Sequence, residues 1–187
     1  MIRKLFISIL PIAAIAILTG GQMSDNGKAG RTGSPGETNC TGCHNSFANN
    51  SGGGSILIQS PGMTGFQYTP GQTYSMSVTV AKTGIGTSGI GIDALTTANN
   101  NAGMPTITDA GSTVIKTSTV SGVSRRNIVH TLNGGLSSGS KVFNFSWTAP
   151  VAGTGNVTFY YSGIAGNANG NENGDYVYTS SQVFTES

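Results

Sequence analysis

The fold is indicated most clearly by an alternating stretch, residues 74–80, which reads Tyr74-Ser75-Met76-Ser77-Val78-Thr79-Val80. Apolar side chains occupy every second position, and small polar side chains stand between them. Because a β-strand turns successive side chains to opposite faces, this period of two predicts a strand with one face in a core. The same pattern returns at residues 142–147, where Phe143, Phe145 and Trp147 share one face.

Strands with turns between them are predicted along the rest of the chain from residue 55. The further segments are 56–58, 90–92, 113–120, 127–132, 157–161 and 176–184. Parallel strands need long crossover connections, and no long helix is predicted between these segments, so the sheets should be antiparallel. We predict an all-β fold of about seven or eight strands in two packed sheets, with a closed barrel as the alternative.

The composition supports turn-rich β structure and narrows the function classes. The 187 residues include 29 glycines, and only 9% of the residues are charged. Gly and Asn tolerate turn conformations, and Thr favours strands. The formal net charge of +2 is too small to attract nucleic acid or an anionic membrane. We therefore expect no nucleic-acid partner.

The chain divides into three predicted segments. Residues 1–22 are expected to be an export signal, with Arg3 and Lys4 before an apolar run at 5–18. That run is shorter than the ~20 residues of a membrane-spanning helix. Cleavage is therefore expected, with an uncleaved anchor as the alternative and no membrane span in the mature chain. Residues 23–54 form a Gly-rich, irregular segment, and residues 55–187 form the β-domain.

The chemistry of the chain is concentrated in the pentapeptide Cys40-Thr41-Gly42-Cys43-His44. The whole chain has two cysteines and two histidines, and three of these four residues stand here. The spacing lets two thiols reach the two vinyl groups of a haem, with the adjacent imidazole beneath the iron; it is the attachment motif of c-type haem. We predict one covalent haem c, with Cys40 and Cys43 as thioether residues and His44 as the proximal iron ligand. A short helical or loop piece over residues 40–50, capped by Thr38 or Asn39, should carry the motif.

Three other interpretations of the pentapeptide stay open. The two cysteines could form a local disulfide in an oxidising compartment, which leaves the position of the histidine unexplained. A thiol redox site would need a thioredoxin-like α/β setting, which the strand pattern does not predict. A zinc site would need four ligands, which the cysteines and histidines together could supply.

A second axial ligand is expected if the haem carries electrons, since His or Met usually fills that position. His130 is the remaining histidine and is predicted to share a strand face with Ile128 and Leu132. It is the first candidate, although a histidine on an apolar face is more often a core residue. Met104 and Met63 are the fallback candidates, and a sixth position open to water or a gas is the remaining alternative.

Two weaker signals are interpreted conservatively. Residues 167–175 are rich in Asn and resemble a calcium loop only loosely, so a solvated turn is predicted. Arg125 and Arg126 could pair with haem propionates. A solvated hairpin end is the preferred prediction for them.

A family resemblance extends over residues 30–185. Residues 30–37, which lead into Cys40-Thr41-Gly42-Cys43-His44, resemble the start of the Reeler-like domain of secreted bacterial proteins, also called choice-of-anchor V. The resemblance continues through residues 68–74, 130–131, 147–155, 158–160 and 174–179. It implies an immunoglobulin-like antiparallel β-sandwich that is secreted or held at the cell surface. It also strengthens His130 as a ligand candidate.

The sequence therefore predicts an exported mono-haem c-type cytochrome on a β-sandwich, an electron carrier rather than an enzyme. Its redox partner is not identified, and a homo-oligomer or surface assembly is compatible with the sequence. The location is expected to be extracellular or at the cell surface, with the periplasm as an alternative. The competing functions are a surface interaction module with a Cys40–Cys43 disulfide, and a haem sensor or peroxidase-like protein with an open sixth position.

Overall fold

The computed structural model describes residues 26–187, so the predicted export signal lies outside the described residues. One short 3-10 turn precedes ten strands. The strands are β1 Ser55–Gln59, β2 Gln67–Tyr68, β3 Thr73–Ala81, β4 Thr87–Thr96, β5 Met104–Ile107, β6 Thr113–Val120, β7 Val123–His130, β8 Ser140–Thr148, β9 Val157–Gly166 and β10 Tyr176–Glu186.

The strands form the two packed sheets that the sequence predicts. One sheet has the order β1-β3-β8-β5, and the other has the order β2-β10-β9-β4-β7-β6. All pairings are antiparallel except that of β2 with β10, which is parallel. The β-sandwich is thus confirmed, with ten strands rather than about eight.

The two strands that the sequence analysis missed lie at sheet edges. β2 has two residues, which is too short to show a period. β5 contains Pro105, a residue that cannot donate to a strand ladder and is tolerated in edge strands. Local pattern therefore gives no signal for either of them.

The core lies between the sheets and is built by the predicted alternation. On β3, Tyr74, Met76, Val78 and Val80 are buried, and the intervening residues are more exposed. Trp147 on β8 is completely buried, with ring centroids 5.1 Å from Phe159 and 6.0 Å from Phe184. Its indole N–H donates to the Ala102 carbonyl oxygen at 2.9 Å. A satisfied polar group lets a large aromatic ring sit fully inside the sandwich.

The N-terminal segment covers the outer face of the six-stranded sheet, a packing that the sequence analysis did not predict. Residues 26–39 have no helix or strand, as expected. Their backbone lies so close to β4 that a methyl group on Gly91 would stand 2.9 Å from the Arg31 carbonyl oxygen. Gly30 N–H donates to Asn127 Oδ1 at 2.8 Å. The segment thereby brings the pentapeptide onto the sheet.

Polar side chains that would otherwise face solvent are buried under this segment. Asp93 on β4 and Arg125 on β7 approach to 3.7 Å. Ser34 donates its hydroxyl to Asp93 Oδ2, and Arg125 Nη1 donates to the Pro35 carbonyl oxygen. A buried charge pair of this kind is stable only when such hydrogen bonds accompany it.

In residues 26–187, no helix is long and apolar enough to cross a membrane.

Candidate haem site

The pentapeptide begins with a single tight turn that is anchored to the sheet. The 3-10 turn Cys40–Gly42 is capped by Asn39, whose Oδ1 accepts the Thr41 N–H at 2.8 Å. The Cys40 N–H donates to the Ser162 hydroxyl of β9 at 3.2 Å. Asn39 is one of the two caps that the sequence offers, and the short helical or loop piece expected over residues 40–50 is helical only in this one turn.

The two thiols have different environments. Cys40 is buried, and Cys43 is exposed. Burial raises the pKa of the Cys40 thiol to about 11, because a thiolate would lose its hydration there. A redox-active thiol pair needs a thiolate near neutral pH, so this environment disfavours the thiol redox interpretation.

His44 is oriented by a carboxylate from the far end of the chain. Its Nδ1 lies 2.7 Å from Asp175 Oδ2, and the side chains are 24% and 6% exposed, respectively. A carboxylate accepts only, so Nδ1 carries the proton in this contact. The Nε2 lone pair is then left for a metal, the arrangement found for many metal-bound histidines.

His130 occupies the point where β4 and β7 separate. Their ladder consists of two pairs, Gly91↔Val129 and Ile92↔Ile128. At the next position the backbone N–H of Ile90 lies 3.1 Å from His130 Nδ1, so an imidazole takes the place of a carbonyl partner. The predicted shared face with Leu132 does not form, since β7 ends at His130 and Leu132 is exposed.

These histidines and both cysteines line one cavity of about 560 Å³. This volume lies in the ordinary range for cofactor and ligand sites, roughly 300–1,000 Å³. Ile90, Ile164 and Leu136 give it apolar walls. The sequence-predicted thioether residues, the proximal ligand and the first candidate for the second ligand are therefore brought together.

The lining of the cavity contains side chains of both charges. Lys28 and Arg31 line it together with Glu172 and Asp175. Arg31 Nη1 donates to the Gly30 carbonyl oxygen at 3.1 Å, whereas its Nε is buried with no hydrogen-bond partner within residues 26–187. Cationic side chains suit acidic groups of a ligand, such as the carboxylates of haem propionates. The donor set, the apolar walls and the cationic lining by Lys28 and Arg31 fit a haem.

The methionine candidates lie elsewhere, since neither lines the cavity. Met104 is 53% exposed, and its sulfur accepts from Arg126 Nη1 at 2.8 Å. Met63 packs against the core. Of the three candidates that the sequence offers for a second ligand, His130 lines the cavity and the two methionines do not.

Two weaker sequence interpretations are resolved by the structure. Arg125 is 3% exposed, so the prediction of a solvated hairpin end is wrong for it, and it is engaged with Asp93 rather than the cavity. The reason is the covering N-terminal segment. In the Asn-rich loop, the side-chain oxygens of Asn167, Asn169 and Asn171 accept backbone N–H groups two residues ahead, as in a solvated turn.

Zinc was the remaining metal alternative and normally takes four protein ligands. Within the part of the chain that the structure describes, no group of three or more His, Cys, Asp or Glu side chains is placed to hold a metal ion.

Sequence reasoning missed the residues that complete the site. Arg31 and Lys28 precede the pentapeptide by 9 and 12 residues, and Asp175 lies near the other end of the domain, so residue types and spacing alone did not join them to the site. Two signals for Asp175 were available: it is one of two charged residues in the Asn-rich loop, with Glu172, and it lies in the stretch 174–179 that resembles the Reeler-like family.

Comparison with known proteins supports the fold class. The human F-spondin reeler domain is 19% identical, with a TM-score of 0.52, over 76% of this chain and 95% of that chain. A second structure of that domain has 18% identity and a TM-score of 0.49, over 71% and 93% of the two chains. A cohesin module from a Clostridium perfringens family 33 glycoside hydrolase has 13% identity and a TM-score of 0.47, over 71% and 96%. No protein-family model and no curated protein matches the chain.

The chain is thus an all-β protein with a reeler-like sandwich, and it carries a Cys-x-x-Cys-His segment at a cavity on the outer face of its larger sheet. The resemblance inferred from sequence is confirmed at the level of the fold.

Proposed function

We propose that the chain is an exported mono-haem c-type cytochrome that transfers electrons at or outside the cell envelope. One observation carries the proposal: the pentapeptide and the other histidine of the chain, His130, line the same cavity of about 560 Å³. The residues are far apart in sequence, and a motif that arose by chance would not be expected to meet a cofactor-sized cavity with a second iron ligand.

Covalent attachment would use both thiols. Each S–H would add across one vinyl group, so that a carbon–sulfur bond would form and the hydrogen would pass to the neighbouring carbon. No atom leaves, and the mass of the chain rises by that of one haem. Cys40 is held by its backbone bond to Ser162, and Cys43 lies at the exposed edge of the cavity.

Two histidines would hold the haem iron. His44 presents Nε2, since Nδ1 is engaged by Asp175. For His130 to bind through Nε2, its Nδ1 must carry the proton, and the Ile90 carbonyl oxygen lies 3.4 Å from Nδ1 to accept it. In the other tautomer Nδ1 accepts the Ile90 N–H, which lies 3.1 Å away, so the backbone of Ile90 offers both an acceptor and a donor to this nitrogen.

The walls of the cavity would keep water from the iron and hold the propionates. Ile90, Ile164 and Leu136 are apolar, whereas Lys28 and Arg31 are cationic. When bound, haem supplies a one-electron Fe(III)/Fe(II) couple. Attachment of haem c takes place outside the cytoplasm, which agrees with the export signal predicted for residues 1–22. We propose a secreted or cell-surface electron carrier rather than an enzyme.

The test is intact mass and a visible spectrum of the full chain, exported from a host that has the c-type maturation machinery. We expect a mass one haem above the chain, and sharp bands that shift on reduction. The Cys40→Ser/Cys43→Ser double variant should lose the covalent haem. A matched control, Ser181→Ala, changes an exposed residue outside the cavity lining and should keep it.

The opposite result identifies the competing function. A colourless protein whose mass is two hydrogens below that of the bare chain would mean a Cys40–Cys43 disulfide. A surface interaction module would then replace the cytochrome as the proposed function.

A further inference from the structure

The most specific contact at the site joins residues that are 131 positions apart. His44 Nδ1 and Asp175 Oδ2 are separated by 2.7 Å. Asp175 is almost completely buried, at 6% side-chain exposure, so the interaction is poorly screened by water. A buried carboxylate without partners would be costly, and here both oxygens are engaged: Oδ1 accepts the Asn167 N–H at 3.0 Å.

Two further contacts hold the same two stretches of chain together. The Gly174 N–H donates to the Ser46 hydroxyl at 2.9 Å. Phe47 stacks on Tyr176, with centroids 4.1 Å apart and the rings tilted by 7°. Residues 44–47 and 174–176 therefore meet over three successive contacts, with the imidazole–carboxylate pair at one end.

The contact with Asp175 determines which nitrogen of His44 can face a ligand. The carboxylate has no proton to give, so it selects the tautomer with hydrogen on Nδ1. By withdrawing that hydrogen towards itself, the carboxylate adds negative charge to the ring and makes Nε2 a stronger electron donor. A stronger donor stabilises Fe(III) more than Fe(II), and hydrogen bonding of axial ligands is one way in which proteins tune haem potentials.

We propose that Asp175 is a positioning residue that fixes the tautomer of His44 and lowers the reduction potential of the site, an inference that rests on the haem attachment proposed above. The contact between His44 and Asp175 would make the haem-loaded protein an electron donor of low reduction potential. A neutral partner at position 175 would still accept or donate a hydrogen bond, but it would not place a full negative charge next to the ring.

The test compares two variants that lose the same charge from the same loop. Asp175→Asn removes the carboxylate that contacts His44. Glu172→Gln removes a carboxylate that lines the same cavity. In the haem-loaded protein, we expect Asp175→Asn to raise the midpoint potential clearly more than Glu172→Gln does, and Asp175→Glu to stay closer to the parent. Equal shifts in the two neutralised variants would overturn the positioning role.

A second measurement needs no haem and covers the case in which Asp175→Asn fails to load it. In the Cys40→Ser/Cys43→Ser background, ¹⁵N NMR of the imidazole should show His44 with its hydrogen on Nδ1, and Asp175→Asn should shift the ring towards the other tautomer. A parent that already carries the hydrogen on Nε2 would refute the inference. Failure of the cytochrome proposal itself would appear separately, as a missing haem mass in the parent chain.

Discussion

The imidazole of His130 lies against the bare α-carbon of Gly89: a methyl group at position 89 would stand 2.7 Å from Cε1 and 3.3 Å from Nε2. A methyl carbon at 2.7 Å from Cε1 would clash with the ring, so the ring can occupy its place only because residue 89 has no side chain. Gly89 of β4 thereby leaves room for the ring of His130, which lines the cavity that also holds the pentapeptide.

Gly89→Ala should therefore displace the His130 ring. In the haem-loaded protein we expect a partial or complete change from a six-coordinate, low-spin spectrum to a five-coordinate, high-spin spectrum, measured by visible absorption. Gly62→Ala is the matched control, since a methyl group there meets only Tyr74 Cδ1 at 3.8 Å. An unchanged spectrum in Gly89→Ala would show that the ring does not serve as a ligand.

Removal of the imidazole itself should have the larger effect. His130→Ala is expected to abolish the sixth protein ligand, so that the reduced protein binds carbon monoxide, which the parent should bind weakly. Met104→Leu and Met63→Leu should leave the spectrum of the parent unchanged, because neither sulfur lines the cavity. If a methionine variant binds carbon monoxide and His130→Ala does not, the assignment to His130 is wrong.

The buried Asp93 should give the fold an unusual dependence on pH. Loss of hydration raises the pKa of its carboxyl to about 6, and Glu37 acts in the same direction, whereas Ser34 and Arg125 oppose them. In the unfolded chain, the pKa of an aspartate is about 3.9. The folded state therefore binds the proton more tightly, and this stabilisation is complete below about pH 4 and lost as the pH rises through about 6.

The size of this contribution is about 3 kcal/mol, from roughly two pKa units at 1.36 kcal/mol each. Denaturant unfolding of the parent and of Asp93→Asn at pH 4 and pH 7 isolates this contribution. The difference in free energy of unfolding between the two proteins should change by about 3 kcal/mol between the two pH values. Asp109→Asn is the control, because Asp109 is exposed and its pKa is lowered. A parent and an Asp93→Asn variant with parallel pH profiles would contradict the prediction.

Trp147 should be the most costly core residue to truncate. It is completely buried and contacts aromatic rings from both sheets, Tyr74 in its own sheet and Phe159 in the other. Trp147→Ala is expected to lower the free energy of unfolding by about 3–5 kcal/mol. Val151→Ala, at a side chain that is 79% exposed, should change it by less than about 0.5 kcal/mol. Chemical denaturation followed by circular dichroism measures both, and similar midpoints would contradict this account of the core.

Much of the fold could be predicted because its signals are local. The alternation at residues 74–80 is set by the pleat of one strand, and it predicts which side chains of β3 are buried. The edge strands β2 and β5 could not be predicted, since two residues show no period and Pro105 disfavours a strand assignment. The docking of residues 26–39 on the outer sheet face depends on glycines and polar groups, which carry no hydrophobic pattern.

The sequence by itself determined the β-sandwich and predicted a haem-attachment motif at Cys40, Cys43 and His44, because alternation and motif spacing are properties of a few successive residues. Only the tertiary structure decided that His130 lines the same cavity and that Asp175 contacts His44. Those relationships depend on the register of β9 with β10, the separation of β4 from β7 and the packing of the N-terminal segment. Strand registers and segment docking are set by the sum of many distant contacts, so no short stretch of sequence encodes them.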